Sequence, residues 1–115
     1  MSTRVLVVDD AADVRESIAA IFEDLGFEVI QAGGGRDALS VLADRDIELA
    51  LLFTDVQMPG MDGPTLAREA RKLRPELKII FTSGLAGQPR SDSPFIAKPF
   101  RRHRLCEVVS QTLAH

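Results

Sequence analysis

Between residues 4 and 113, short apolar runs alternate with longer stretches in which apolar side chains recur every three or four positions. That rhythm is the signature of strands interleaved with helices. Residues 4–8 read RVLVV, a continuous apolar run of the kind a strand covered on both faces requires. Asp13 stands where it could cap the next segment, in which Val14, Ile18, Ile21, Phe22 and Leu25 share one helical face. Gly26 occupies the position just past a helix end that favours glycine. A second strand is expected at 27–31, a turn at Gly33-Gly34-Gly35, and a helix at about 36–44 with Ala38, Leu39 and Leu42 inward. The third strand, 49–54, ends in Asp55, and the loop 56–63 carries the turn formers Pro59, Gly60 and Gly63. Pro64 suits the first turn of a helix that runs to about residue 74 on Leu66, Ala70 and Leu73 and stops at Pro75. Strands at 77–82 and 95–97 follow, then a last helix at about 101–113 with Leu105, Val108, Val109 and Leu113 inward. Such an order predicts an α/β domain, a parallel sheet covered on both faces through right-handed crossovers.

Composition narrows the setting. At 115 residues the chain suits one domain that can bury its own core. No apolar run approaches the roughly 18 residues of a membrane span. The first strand starts at residue 4, so no signal peptide is expected. A single cysteine cannot close an internal disulfide, and a cytoplasmic setting is the expectation. A net charge of −3 and the lack of a recognition helix speak against a nucleic-acid partner. Two histidines and one cysteine speak against zinc.

The chemistry collects at one edge. Asp9, Asp10 and Asp55 lie just past the carboxyl ends of the first and third strands, the edge at which open parallel sheets bind ligands. If those strands are neighbours, three carboxylates converge, and their repulsion is relieved by a hard cation. Oxygen ligands suit Mg²⁺, which keeps several waters and takes few protein groups. A carboxylate can also attack phosphorus, in a reaction that depends mainly on positioning and charge neutralisation. Lys98, after the fifth strand, offers a cation, and Thr82, at the end of the fourth, a hydroxyl. Singly, each has an ordinary use: aspartate as turn former or cap, threonine as a strand-end hydroxyl, lysine as a solvated charge. Together they follow successive strand ends along one edge.

The stretches VLVVDD (5–10), TDVQMPGMDG (54–63), FTSG (81–84) and KPF (98–100) resemble the receiver domains of two-component response regulators. The resemblance covers nearly the whole chain, so residues 1–115 are expected to form one receiver domain. It implies a flavodoxin-like sheet of five parallel strands in the order 2-1-3-4-5. It also implies an Mg²⁺ held by Asp10 directly, Asp9 through water, Asp55, and the Gln57 carbonyl. Asp55 would accept a phosphoryl group, Thr82 would be the switch hydroxyl, Lys98 the essential cation and Phe95 the switch aromatic. The Lys98-Pro99 bond would be cis. The donor would be a histidine kinase, a histidine phosphotransfer protein or a small phosphodonor. The outcome would be a changed distal face read by a downstream protein target, and not turnover of an external substrate. Gln57 and Gly84 would tune the access of water to the acyl phosphate.

The sequence departs from the family between Thr82 and Lys98. Residues 83–93 read SGLAGQPRSDS; Pro89 and Pro94 and the glycines at 84 and 87 oppose a long helix, so the fourth helix is expected to be very short or absent. This brings the chain nearer to the receivers of hybrid kinases and some stand-alone receivers. The segment is expected to order on phosphorylation or binding. Phe95 reads equally as an ordinary core aromatic. Arg101, Arg102 and Arg104 read as a solvated basic face or as a patch for an acidic partner. Cys106 reads as a half-buried structural thiol, His103 and His115 as surface residues, and Met58 and Met61 as gap fillers. Because these residues end with the last helix, output is expected to come from another protein or from residues beyond them. Two alternatives remain: a phosphorylation-independent interaction module on the same fold, and an aspartyl phosphatase of the haloacid dehalogenase type. The latter uses a second aspartate where this chain has Gln57.

Overall fold

The apolar runs pair into one parallel sheet. In a computed structural model describing residues 3–84 and 93–114, the strands are β1 (Arg4–Val8), β2 (Glu28–Ala32), β3 (Leu51–Asp55), β4 (Lys78–Ser83) and β5 (Phe95–Ala97). Their order is β2-β1-β3-β4-β5, as the family resemblance implied. Among the described residues, four helices connect or follow them: α1 (Ala12–Asp24), α2 (Gly35–Ala43), α3 (Gly63–Leu73) and α4 (Arg102–Leu113). Alternate side chains point to opposite faces of a strand, and the sheet therefore divides two cores. Leu6, Val8, Leu52 and Phe81 pack with Leu66 and Ala70 of α3 and Leu42 of α2 on one side. Val5, Val7, Phe53 and Ile80 pack with Phe22 of α1 and Leu105 and Val109 of α4 on the other. This is why β1 after Arg4 and β3 before Thr54 carry no polar alternation. No described helix is long and apolar enough to cross a membrane.

The strand tips come into line through the register. Val8 pairs with Thr54 across β1 and β3, Asp55 with Thr82 across β3 and β4, and Thr82 with Ile96 across β4 and β5. Asp9, Asp55 and Lys98 thus leave β1, β3 and β5 at the same end of the sheet. The Lys98-Pro99 peptide is cis, and Gly26 takes a positive φ of 96° beyond α1.

Several boundaries differ from the sequence reading. Asp13 does not cap α1: the helix starts at Ala12 after Ala11, which places Asp13 inside the first turn. The turn is held instead by Asp9, whose carboxylate accepts the Ala11 N–H at 3.0 Å. The third strand begins at Leu51, not 49, although the Ala50 N–H still reaches the Arg4 carbonyl. Gly35 opens α2 and does not belong to the preceding turn. The expected short or absent fourth helix falls largely on residues 85–92, outside the described residues, as does His115.

Two arginines tie α2 to α3 at their C-terminal ends. Arg74, only 6% exposed, donates from Nε to the Leu42 carbonyl and from Nη2 to the Asp44 carbonyl, at 3.0 and 2.8 Å. Arg45 returns the contact, its Nη1 donating to the Leu73 carbonyl at 2.6 Å. Carbonyls that the ends of both helices leave without partners are thereby satisfied by side chains.

At the other end of α3, Asp62 is the cap, its carboxylate accepting the Thr65 N–H at 2.9 Å. The bonds to the Thr65 hydroxyl and amide hold the Asp62 carboxyl below the ordinary carboxylate value. Asp62→Ala is expected to reduce stability by about 1 kcal/mol, the usual worth of such a cap. A carboxyl with a lowered folded value contributes above its unfolded value and loses that contribution as pH falls through the folded one. The difference between the two proteins in urea unfolding should therefore disappear in acid; a difference that persists there would remove the cap from the explanation.

Candidate phosphoryl-acceptor site

Each acidic group is presented by the end of a strand. Asp9 follows β1 and is 1% exposed, Asp55 ends β3 and is 8% exposed, and Asp10 is exposed. One carboxylate oxygen from each lies within 4.8 Å of the others. Asp9 is anchored throughout: its N–H donates to the Ala32 carbonyl at 3.3 Å, Oδ1 accepts from Ala11, and Oδ2 accepts from Lys98 Nζ at 2.7 Å. Lys98 also donates to Asp55 Oδ2, at 3.3 Å. The ammonium is aimed by backbone, because the Lys98 N–H extends the ladder to the Ser83 carbonyl at 2.8 Å. Asp55 Oδ1 accepts the Gln57 N–H at 3.3 Å, while the Gln57 side chain is exposed.

The electrostatics follow from burial and crowding. Burial raises the Asp55 carboxyl above the ordinary carboxylate value; the Lys98 charge opposes this, and the Asp9 charge adds to it. Burial alone would lower the Lys98 ammonium, but the Asp9 hydrogen bond and the charges of Asp55 and Asp9 outweigh it and hold the group above its usual value. Two of the three clustered carboxylates thus share one lysine. An all-oxygen donor set with excess negative charge and one member open to solvent fits a small hard divalent cation.

Of the residues expected here, Asp9, Asp10, Asp55 and Lys98 meet, and the Gln57 backbone joins them. Thr82 does not face the carboxylates: its hydroxyl donates to the Ile96 carbonyl of β5 at 2.7 Å. Phe95 is half-buried on the same edge strand. Arg102 pairs with Asp24 at 3.3 Å and Arg104 with Glu107 at 2.6 Å, while Arg101 and His103 are exposed. Cys106 is half-buried, as expected.

Two residues support the site in ways the sequence did not indicate, Gly63 having read only as a turn former and Arg15 not having been singled out. Gly63 lies so close to β3 that a Cβ there would stand 2.3 Å from the Asp55 carbonyl oxygen. Arg15, on α1, donates to the Asp9 carbonyl at 2.9 Å. Beside the site, Val14, Ile18 and Ile21 of α1 and Pro99 and Phe100 line a mostly apolar groove of about 540 Å³ that reaches Lys98.

The family model for the response regulator receiver domain matches residues 5–110. The chain belongs to that family. The response regulator receiver protein CpdR of Brucella abortus (strain 2308) is 34% identical over 117 residues, which cover 96% of this chain and 96% of CpdR. The sensor kinase CckA of the same strain is 35% identical over 119 residues; these cover 97% of this chain and 13% of the kinase. A solved CheY-like response regulator receiver domain protein from Methanospirillum hungatei JF-1 matches with a TM-score of 0.89 at 29% identity, covering 99% of this chain and 95% of that one. Receiver domains are signalling switches of two-component systems and not classical enzymes. They generally bind Mg²⁺ at the acidic pocket, and the cluster of Asp9, Asp10 and Asp55 fits such a site.

Proposed function

We propose that residues 1–115 act as one receiver domain that accepts a phosphoryl group on Asp55 from the phosphohistidine of a histidine kinase or histidine phosphotransfer protein. The observation that carries this reading is the meeting of three carboxylates within 4.8 Å, two of them hydrogen-bonded to one lysine. Asp9, Asp10, Asp55 and the Gln57 carbonyl would hold Mg²⁺. Bound there, the cation supplies positive charge that offsets the carboxylates and the phosphoryl oxygens.

Asp55 is the acceptor because it combines the end of a rigid, fully buried strand with two fixed donors, the Gln57 N–H and Lys98. One carboxylate oxygen attacks phosphorus while the bond from phosphorus to the donor nitrogen breaks and its electron pair returns to the imidazole. Lys98 then divides its hydrogen bonds between Asp9 and a phosphoryl oxygen. Thr82 is next to Asp55 in register, and its hydroxyl turns from the Ile96 carbonyl to a phosphoryl oxygen. That exchange removes a side-chain tie between β4 and β5, and Phe95 on the freed strand repacks. The equilibrium between two arrangements of the β5 face is what a downstream protein reads. The apolar groove beside Lys98 offers the donor protein a surface in reach of Asp55.

Incubation with Mg²⁺ and acetyl phosphate is expected to add one phosphoryl group to the wild-type chain and none to Asp55→Asn. Amide NMR shifts should spread from Asp55 to Thr82 and Phe95. Intact-mass measurement reads the first effect; labelling retained in Asp55→Asn would overturn the assignment.

A further inference from the structure

Arg15 lies five positions beyond Asp10 and spends its guanidinium on two oxygens that belong to the first two strands. Nη1 donates to the Asp9 carbonyl at 2.9 Å and Nε to Gln31 Oε1, on β2, at 3.1 Å. The Asp9 carbonyl is part of the peptide that joins Asp9 to Asp10. Asp9 has further anchors, since its N–H and both carboxylate oxygens are engaged. The Asp10 carboxylate is exposed and takes no hydrogen bond from another described residue. The backbone is what places its Cα–Cβ bond at the cluster, and a side chain from α1 holds the peptide that leads into it.

We propose that Arg15 is a positioning residue that fixes the Asp9–Asp10 peptide and so presents Asp10 to a divalent cation. The inference rests on the reading of the acidic cluster given above. It has a sign that a simpler role lacks. A guanidinium bonded to the backbone of the acidic cluster repels an incoming cation, so charge alone makes Arg15 a weakener of metal binding. Fixing a ligand before the metal arrives makes it a strengthener, because outer partners of metal ligands set ligand orientation. Commitment of both nitrogens to the β1 and β2 oxygens favours the second.

The test is an Mg²⁺ titration followed by the amide signals of Asp10 and Ala11 in wild type, Arg15→Met, Arg15→Lys and Gln31→Leu. Melting temperatures in metal-free buffer are measured alongside. Arg15→Met is expected to bind Mg²⁺ about tenfold more weakly, the lower end of the loss seen when such partners are removed. Arg15→Lys keeps one donor for the Asp9 carbonyl and should recover part of the loss. Gln31→Leu, which leaves the guanidinium held at one point only, should weaken binding less than Arg15→Met. The Asp10 amide, which belongs to the pinned peptide, should also shift in Arg15→Met before any metal is added. Equal affinity with a lower melting temperature would make Arg15 a brace of the fold and overturn the proposal. Tighter binding in Arg15→Met would overturn it by showing that the charge dominates. Failure of the wild-type chain to bind Mg²⁺ would instead bring down the reading of the cluster on which the proposal depends.

Discussion

Replacing Lys98 with methionine is expected to cost the metal-free protein about 3 kcal/mol at neutral pH. That is the lower end of the penalty for removing one partner of a buried ion pair, chosen because the lysine side chain is 20% exposed. The loss arises from what stays behind: Asp9, almost wholly buried, and Asp55 would face each other with no cation between them. The pH dependence follows from the directions already given. Asp55 has a raised folded value, so its contribution to stability is fully present below the unfolded value and is lost as pH rises through the folded one. Lys98 is likewise raised, so its contribution holds below the ordinary lysine value and is lost only in alkali, above its folded value. The gap between wild type and Lys98→Met should thus be widest near neutrality and close in acid as Asp55 takes up its proton. Added Mg²⁺ should narrow the neutral gap by restoring positive charge and binding only the folded chain. Urea unfolding across the pH range measures all three effects. A neutral gap under about 1 kcal/mol would show that solvent screens the cluster as it screens surface pairs.

Gly63→Ala is expected to be as damaging, for a reason that involves no charge. The added Cβ would stand 2.3 Å from the Asp55 carbonyl oxygen and 3.0 Å from the Val56 Cα. Both are backbone atoms, held by the Gly63 N–H bond to the Val56 carbonyl and by the Val56 N–H bond to the Thr82 carbonyl. No side-chain rotation can relieve the overlap, so a loss of about 3 kcal/mol, the upper part of the range for overpacking, is expected. Displacement of Asp55 should also slow phosphoryl acceptance in the fraction that still folds. Gly35→Ala is the control. There the Cβ would meet Met61, with Sδ at 2.7 Å, Cβ at 2.8 Å and Cγ at 2.9 Å; the thioether can move aside while the Met61 Cβ must shift with its backbone, so a smaller loss than at Gly63 is expected. If both variants melt like wild type, the close approach of α3 to β3 does not constrain the site.

The sequence disclosed the sheet because its central strands are covered on both faces and therefore show apolar runs, as in VLVV of β1 and LLF of β3. The site was legible because acids cannot continue a buried strand, so Asp9, Asp10 and Asp55 marked strand tips by themselves. What escaped depends on contacts between elements. Arg74 is a lone arginine before a proline, with no pattern to distinguish it from a solvated residue; only the approach of α2 makes it a cap. Asp13 was misplaced as a cap because the helix gains two residues, Ala12 and Asp13, when the Asp9 carboxylate takes the Ala11 N–H. The role of Arg15 requires α1, β1 and β2 to be in place together. The Thr82 hydroxyl was anticipated as a phosphoryl contact, but its partner in the folded chain, the Ile96 carbonyl, follows from the register of β5, which sequence spacing does not fix.

The division of the interior by the sheet has a consequence for how the molecule can change over time. Among the described residues, the buried apolar side chains of α2 and α3 belong to one core and those of α1 and α4 to the other, with the five strands between them. A bulkier or smaller residue in one half asks for adjustment only among its own neighbours, and the opposite half is spared. One flank can therefore drift to suit a new companion protein while the other retains its old one, provided the strands keep their tips aligned.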